Sequence, residues 1–297
     1  PRVAALALLL AALVFLAGWL VGRRAPAAEA VPQKLNAAAK QLWGPWISDP
    51  AGAVICFSSP LTTVVKYFSK KVPTDAQPRR LRADPQLDAE LRRTFNLGPG
   101  GHLYLTPSTA QGKMGEAIAG VHLAGFLSRA GLPIRTTQSR FLSWETFRRE
   151  NLVLLGHNEA NRWLDPLLEK QPFRLAATEG ESPRRILNVR PAAGEPPKYH
   201  IEFSDDQNEA TQEYALVSML PGVDGRRRLL LINGLNTQAT QMAAEYVTNP
   251  STLEELLGRL QAASPNHQGP WHFQIVLRTE VRDKVPTRAS LVAVRVL

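Results

Sequence analysis

From Ala53 onward the chain repeats one pattern, in which a short apolar run ends in Gly, Ser, Thr or Asn and leads directly into a segment with helical spacing. Apolar runs that do not alternate with polar residues and are followed by helices are typical of parallel strands in a sheet covered on both faces. The pattern therefore predicts four strand–helix pairs, at residues 53–60 with 61–68, 102–109 with 112–131, 151–161 with 162–170, and 228–238 with 239–249.

The longest predicted helix covers residues 113–130. Gly131 follows it directly and Pro133 lies just beyond, as is usual at the end of a helix. Its small and apolar positions form one broad face, which we expect to lie on the sheet. That face consists of Ala117, Ile118, Val121, Ala124 and Gly125.

Other β-rich runs are separated by short turns, which predicts antiparallel hairpins at residues 184–190 with 198–204, 213–220 with 226–233, and 272–283 with the runs up to residue 297. The predicted fold class is therefore α/β, with a mixed, partly parallel sheet and helices on both faces, in a periplasmic-binding-protein-like or Rossmann-like arrangement. Residues 51–297 are predicted to form this domain, either as one unit or as two lobes that divide near residue 175.

Residues 3–22 contain no charged or strongly polar side chain. As a helix, this run would span about 30 Å, the thickness of the bilayer core. The apolar region of a cleaved secretory signal is shorter, about 7–15 residues, and this run ends in Arg23 and Arg24 rather than at a cleavage site. We therefore expect residues 1–24 to be a single-pass membrane anchor in contact with lipids. Residues 25–50 are expected to be a linker and a tryptophan-containing approach to the domain.

The arginines around the predicted anchor bear on its orientation. Arg2 precedes it, whereas Arg23 and Arg24 follow it, so the positive-inside rule alone would place the domain in the cytoplasm. The chain begins with Pro1 and not with Met, and a basic portion upstream of it would reverse this orientation.

Small residues also recur on one side of the predicted membrane helix. Such a side allows two helices to approach closely, which makes a homodimer one expected assembly. The residues concerned are Ala7, Ala11, Gly18 and Gly22.

The formal net charge of +9 is spread over short, separate groups of basic residues. Nucleic-acid-binding surfaces more often collect their basic residues on one face with aromatic residues between them, so nucleic-acid binding is not predicted. The basic groups are expected to face solvent or anionic headgroups. The single cysteine, Cys56, cannot form an internal disulfide and lies in an apolar run, so we expect it in the core.

The turns after the predicted strands carry the candidate ligand-binding residues. In an open α/β sheet, ligands bind at the carboxyl ends of the strands, where helix N-termini offer free N–H groups. Ser, Thr and Asn are also the residues that helix caps and turns require, so capping alone is the alternative interpretation. The candidates are Ser58, Ser59, Thr106, Ser108, His157, Asn158, Asn233, Asn236 and Thr237.

Motifs for catalysis and cofactors are weak in this sequence. Residues 107–114 do not fit a phosphate-binding loop, because Pro107 and Met114 stand where the motif needs Gly and Ser or Thr. The six histidines show no compact metal-ligand spacing, and no Gly-x-Ser-x-Gly elbow occurs. No catalytic residue, cofactor or metal is therefore predicted, and an enzyme is the less expected outcome.

Several short motifs occur in a distinctive order: Trp-Gly-Pro-Trp at 43–46, Leu-Leu-Gly-His-Asn-Glu-Ala-Asn-Arg-Trp at 154–163, Tyr-Ala-Leu-Val-Ser at 214–218, and Gly-Leu-Asn-Thr at 234–237. Over residues 40–297 this order resembles the extracytoplasmic domain of bacterial membrane-anchored proteins in which a cytoplasmic winged-helix DNA-binding domain precedes a single span. The resemblance implies a sensor or interaction domain outside the cytoplasm, at the bacterial inner membrane. No winged helix occurs in these 297 residues, so DNA binding is not transferred to any of them.

Three functions remain open from the sequence. The first is a membrane-anchored, non-catalytic sensor or binding domain for a small polar ligand or a partner protein. The second is a structural or accessory subunit of a membrane complex, which would expose a large apolar patch rather than a polar cleft. The third is a hydrolase or transferase whose site residues are dispersed over the strand ends.

Overall fold

The structure is a computed structural model that describes residues 35–60, 62–68, 81–82, 85–97, 100–108, 113–178, 181–205 and 209–297. Residues 35–297 form one compact unit. None of the helices in these ranges is both long and apolar enough to cross a membrane. The predicted anchor at residues 3–22 lies outside the described residues.

Helices and strands alternate along much of the chain. The helices are α1 (Ala37–Ile47), α2 (Pro85–Thr94), α3 (Met114–Arg129), α4 (Trp144–Arg149), α5 (Leu164–Leu168), α6 (Thr237–Tyr246) and α7 (Pro250–Ala263). The strands are β1 (Ala53–Phe57), β2 (Thr62–Phe68), β3 (Leu81–Arg82), β4 (His102–Ser108), β5 (Ile134–Gln138), β6 (Asn151–Leu155), β7 (Phe173–Thr178), β8 (Glu181–Asn188), β9 (Lys198–His200), β10 (Glu202–Phe203), β11 (Ala210–Pro221), β12 (Arg228–Gly234), β13 (Phe273–Arg282) and β14 (Val285–Val296).

The central sheet is mixed, as the sequence predicts. Its strands lie in the order β14-β13-β11-β12-β6-β1-β5, with β10 paired to β11. The half from β12 to β5 is parallel, and the half from β12 to β14 is antiparallel. Strands that precede and strands that follow residue 175 therefore belong to the same sheet.

The parallel half contains a topological switch point. From β1 the chain passes to β5 on one side and then returns to β6 on the other side of β1. At such a point the flanking connections leave in opposite directions, which opens a crevice at the carboxyl ends of the two strands. The crevice is therefore expected between the ends of β1 and β6.

Two layers of side chains cover the sheet. One face of each strand packs against α1, α3, α6 and α7, through residues such as Ile55 and Val153. The other face packs against α4, α5 and the three-stranded sheet β7-β8-β9, through residues such as Val54 and Leu152. Cys56 belongs to this second core and is fully buried, as predicted.

One predicted helix is wrong. Residues 61–68 were expected to be helical, but Thr62–Phe68 form β2 in a separate antiparallel sheet of the order β2-β4-β3. The β-branched pairs at 62–63 and 64–65 favour an extended backbone, and residues 102–108 provide the partner strand. The second predicted parallel strand therefore does not join the central sheet.

The buried face of α3 also differs from the prediction. Val121 is 72% exposed, and the residues that pack inward include Glu116, Ala119 and Leu123. Gly120 explains this orientation, because a Cβ at that position would lie 2.5 Å from the ring of Phe57. The helix thus approaches β1 most closely at Gly120, and it approaches the start of α6 at Gly115. The predicted end is correct, since Gly131 follows with φ of +89°.

Candidate functional site

The structure brings some of the predicted site residues together and separates others. Ser58 and Ser59 follow β1, and His157 and Asn158 follow β6, so the four flank the switch point. Asn233, Asn236 and Thr237 lie at the end of β12 and the start of α6, the next strand end along the sheet. Thr106 and Ser108 lie in β4, which belongs to the separate sheet.

Glu116 of α3 fills the crevice directly at the end of β1. Its carboxylate accepts hydrogen bonds from the backbone N–H of Ser58 at 3.0 Å and from the Ser58 hydroxyl at 2.7 Å. Both residues are 2% exposed. A carboxyl group of the chain itself therefore occupies the position at which an external anion would meet these donors.

Gly156 makes room for this carboxylate. It follows β6 with φ of +93°, and a Cβ there would lie 2.5 Å from Oε1 of Glu116. Glycine is thus required both for the backbone conformation and for the close approach. Sequence reasoning missed Glu116, because an acidic residue in the first turn of a helix ordinarily complements the helix dipole at the surface.

The start of α6 is also occupied by contacts within the chain. Glu213 of β11 accepts hydrogen bonds from the side-chain amide of Asn236 at 2.9 Å and from the backbone N–H of Ala239 at 3.0 Å. The Thr237 hydroxyl accepts a hydrogen bond from the N–H of Gly115 at 3.1 Å. Burial raises the pKa of Glu213, and the two hydrogen bonds partly offset this rise. Asn236 therefore contacts Glu213 and makes no side-chain capping bond to α6, whereas Thr237 contacts the first turn of α3.

Of the two polar side-chain atoms of Asn233, one has a hydrogen-bond partner among the described residues and the other has none. Its side-chain amide donates to the backbone oxygen of Gly156 at 2.6 Å, which ties the ends of β12 and β6 together. Its Oδ1 atom is buried and has no hydrogen-bond partner within the described ranges.

An open cavity of about 590 Å³ lies beside the filled crevice, at the ends of β1, β5 and β6. The carbonyl of Ala160 holds the three connections together, because it accepts hydrogen bonds from the Ser59 N–H at 2.9 Å and the Ser139 hydroxyl at 3.2 Å. Trp163 forms an apolar wall. The lining residues are Ser59, Ser139, Arg140, Leu142, Glu159, Ala160, Arg162 and Trp163.

The wall of this cavity is fixed by an aromatic stack. The ring of Trp163 stacks on Phe147 with centroids 4.8 Å apart, and its indole N–H donates to the Ser139 carbonyl at 3.1 Å. Trp144 continues the stack and is 56% exposed. A rigid wall of this kind lowers the entropy that is lost when a ligand binds.

A group of charged residues adjoins the cavity through Glu159. Glu159 pairs with Arg184 of β8, whose Nε and Nη2 atoms lie 2.8 and 2.7 Å from the same carboxylate oxygen. Burial acts to raise the pKa of Glu159, but the hydrogen bond and charge of Arg184 outweigh it and leave this pKa below its usual value. Lys113, just before α3, has a lowered pKa because of burial and the nearby charge of Arg184.

His157 lies among these charges and is 1% exposed. Neither of its ring nitrogens has a hydrogen-bond partner in the part of the chain that the structure describes. Burial, followed by the charge of Arg184, lowers the pKa of His157 to about 4, although Glu159 acts in the opposite direction. The imidazole is therefore neutral at neutral pH. The sequence indicated His157, but Lys113, Glu159 and Arg184 were missed because only the fold brings them to it.

A larger cavity, of about 740 Å³, lies between α1 and the segment after α7, where Lys40, His267 and Trp271 line it. It is not at a strand end of the parallel half. We therefore consider the strand-end cavity the better candidate.

The Ser58 hydroxyl at the end of β1 is engaged within the chain. The Ser58 hydroxyl is buried and bonded to both carboxylate oxygens of Glu116, so it is not available as a nucleophile without displacement of that group. Within the described ranges, no group of three or more His, Cys, Asp and Glu side chains could hold a metal ion. Comparisons with protein-family models, with curated proteins and with solved structures give no match to the chain.

Proposed function

We propose that the protein is a membrane-anchored, non-catalytic binding domain whose small polar ligand enters the cavity at the ends of β1, β5 and β6. The apolar run at residues 3–22 supports the anchor. The resemblance of residues 40–297 to extracytoplasmic domains supports a location outside the cytoplasm, at the bacterial inner membrane.

One observation carries the binding function: three strand ends that flank a topological switch point enclose a single cavity of about 590 Å³. This is where ligands bind in open α/β sheets, and the volume suits a small molecule. The lining combines an apolar wall, Trp163, with charges of both signs, Arg140, Arg162 and Glu159. Such a lining fits a small polar organic molecule better than a hydrocarbon.

A thermal-shift screen of polar metabolites on the full chain in detergent tests this function. A ligand at about 100 times its dissociation constant stabilises a protein by about 2.7 kcal/mol, which corresponds to a rise in Tm on the order of 5–10 °C. The variant Ser59→Trp fills the cavity and should lose this rise. The matched control Ser264→Trp fills the larger cavity instead and should retain it.

Two outcomes would contradict the proposed function. One is that the same ligand stabilises the parent and Ser59→Trp equally. The other is that no metabolite raises the Tm of the parent, which would favour the accessory-subunit alternative.

A further inference from the structure

The buried imidazole of His157 lies near two basic residues, Lys113 and Arg184. His157 is almost completely buried, and both of its ring nitrogens are without partners in the described part of the chain. A buried polar group without a hydrogen bond destabilises the folded state, so an unpartnered buried imidazole indicates a position for a ligand. Two cations stand beside it, close enough for both to lower the pKa of its ring.

In the structure, Glu159 forms an ion pair with one of these two cations, Arg184. A single oxygen of its carboxylate, Oε2, faces both Nε and Nη2 of Arg184, at 2.8 and 2.7 Å. The Glu159 side chain is 41% exposed and lines the cavity, so it is the more exposed partner of this pair and the one that faces an entering ligand. Arginine presents a planar fork that binds carboxylate and phosphate oxygens in the same way.

We propose that Lys113, His157 and Arg184 form an oxyanion subsite that adjoins the strand-end cavity. In the absence of ligand, Glu159 pairs with Arg184, and a carboxylate or phosphate group of the ligand replaces Glu159 in this pair. This subsite rests on the proposed function, because the ligand reaches it from that cavity. The ligand class is therefore a small molecule with an oxyanion at one end.

The charges that face the subsite explain how an anion is accepted. Lys113 and Arg184 are two basic side chains close enough to His157 for their charges to act on its ring. When an anion replaces Glu159 at Arg184, its negative charge takes the place of the one that Glu159 supplies to this pair.

Titration calorimetry of the full chain in detergent with inorganic phosphate, sulfate and acetate tests the subsite. Glu159→Gln removes the competing carboxylate but keeps the shape, so it should bind these anions about tenfold more tightly than the parent. Arg184→Gln should bind them about tenfold more weakly. The control Arg226→Gln changes an exposed arginine in the turn before β12 and should bind as the parent does.

Glu159→Gln and Arg184→Gln should change the anion affinity in opposite directions. A folding defect would lower the affinity of both variants, so the opposite changes distinguish the subsite from misfolding. Equal affinities of the parent, Glu159→Gln and Arg184→Gln would overturn the subsite, as would the absence of anion binding. Either result leaves the proposed function intact if a metabolite still stabilises the parent but not Ser59→Trp.

Discussion

At the scale of single residues, the buried imidazole of His157 is the least ordinary feature of the molecule. Most buried polar groups are hydrogen-bonded, and a group whose pKa is displaced by burial together with a charged neighbour is a candidate for function. The lowered pKa of His157 also affects folding, whether or not a ligand is bound. The unfolded chain binds a proton at His157 near its ordinary pKa of 6.5, whereas the folded chain binds it only near 4.

Acidification should therefore destabilise the protein through His157. Between about pH 7 and about pH 5 the unfolded state binds more protons at this residue, so the free energy of unfolding should fall by about 2 kcal/mol. Urea unfolding of the full chain in detergent, followed by tryptophan fluorescence, measures this change. His157→Gln should remove most of it, and His200→Gln, at an exposed position of β9, should not. The same pH dependence in the parent and in His157→Gln would contradict this assignment.

The sequence predicts part of the site and leaves part of it hidden. Ser59 and His157 follow apolar strands, and that position alone indicates them. Glu116 and Arg184 give no such signal, because one lies in the first turn of a helix and the other in an antiparallel hairpin. Their role depends on which side chain the fold places opposite them, and local spacing does not contain that information.

At the scale of elements, the start of α6 shows how a strand supports a helix. Asn236 stands at the N-cap position, but its side chain makes no capping bond to the helix. Glu213 of the neighbouring strand takes that role, because it accepts the N–H of Ala239 and also holds Asn236. A fully buried carboxylate at a helix N-terminus is stabilised by these donors and by the helix dipole.

Glu213→Gln should lower the free energy of unfolding by about 1–2 kcal/mol, because the amide can accept only one of the two hydrogen bonds. Chemical denaturation of the full chain measures the loss. Glu90→Gln, which changes an exposed glutamate of α2, should be neutral. The affinity of any ligand that stabilises the parent but not Ser59→Trp should stay unchanged in Glu213→Gln. A loss of affinity without a loss of stability would instead place α6 in the ligand site.

The sequence predicts the type of an element correctly where its hydrophobic periodicity and its tertiary partner favour the same structure. The helices at Met114–Arg129 and Thr237–Tyr246 and the hairpin β11–β12 lie where the pattern predicts them. The segment 61–68 does not lie in a helix as predicted. Its short apolar run fits the period of a helix as well as that of a strand, and pairing with β4 makes it a strand.

At the scale of the whole molecule, the α/β unit and the apolar run before it differ in where their apolar residues lie. The α/β unit of residues 35–297 buries its apolar residues in two cores of its own. The apolar run at residues 3–22 precedes that unit and carries no charged side chain. We therefore expect the attachment to the membrane to depend on the first residues alone.

The full chain should remain in the membrane pellet after an alkaline carbonate wash, because a helix of about 20 apolar residues partitions stably into the bilayer. A chain truncated to begin at Val31 should appear in the supernatant. Both fractions are followed by immunoblotting of washed membranes. Release of the full chain by the wash would show that residues 3–22 do not span the membrane.

The separate β2-β4-β3 sheet affects the order in which the molecule folds. Residues 58–113, which include the β2-β4-β3 sheet, separate β1 from α3 along the chain. Closing an interval of this length costs about 2 kcal/mol more than closing a short turn. The hairpins β11–β12 and β13–β14 close over short turns and carry no such penalty. Loop-closure entropy therefore favours a folding nucleus in the antiparallel half, while β1, α3 and the cavity assemble late. Contacts that form after the transition state mainly govern the unfolding rate, so a ligand in this cavity acts by prolonging the lifetime of the native state.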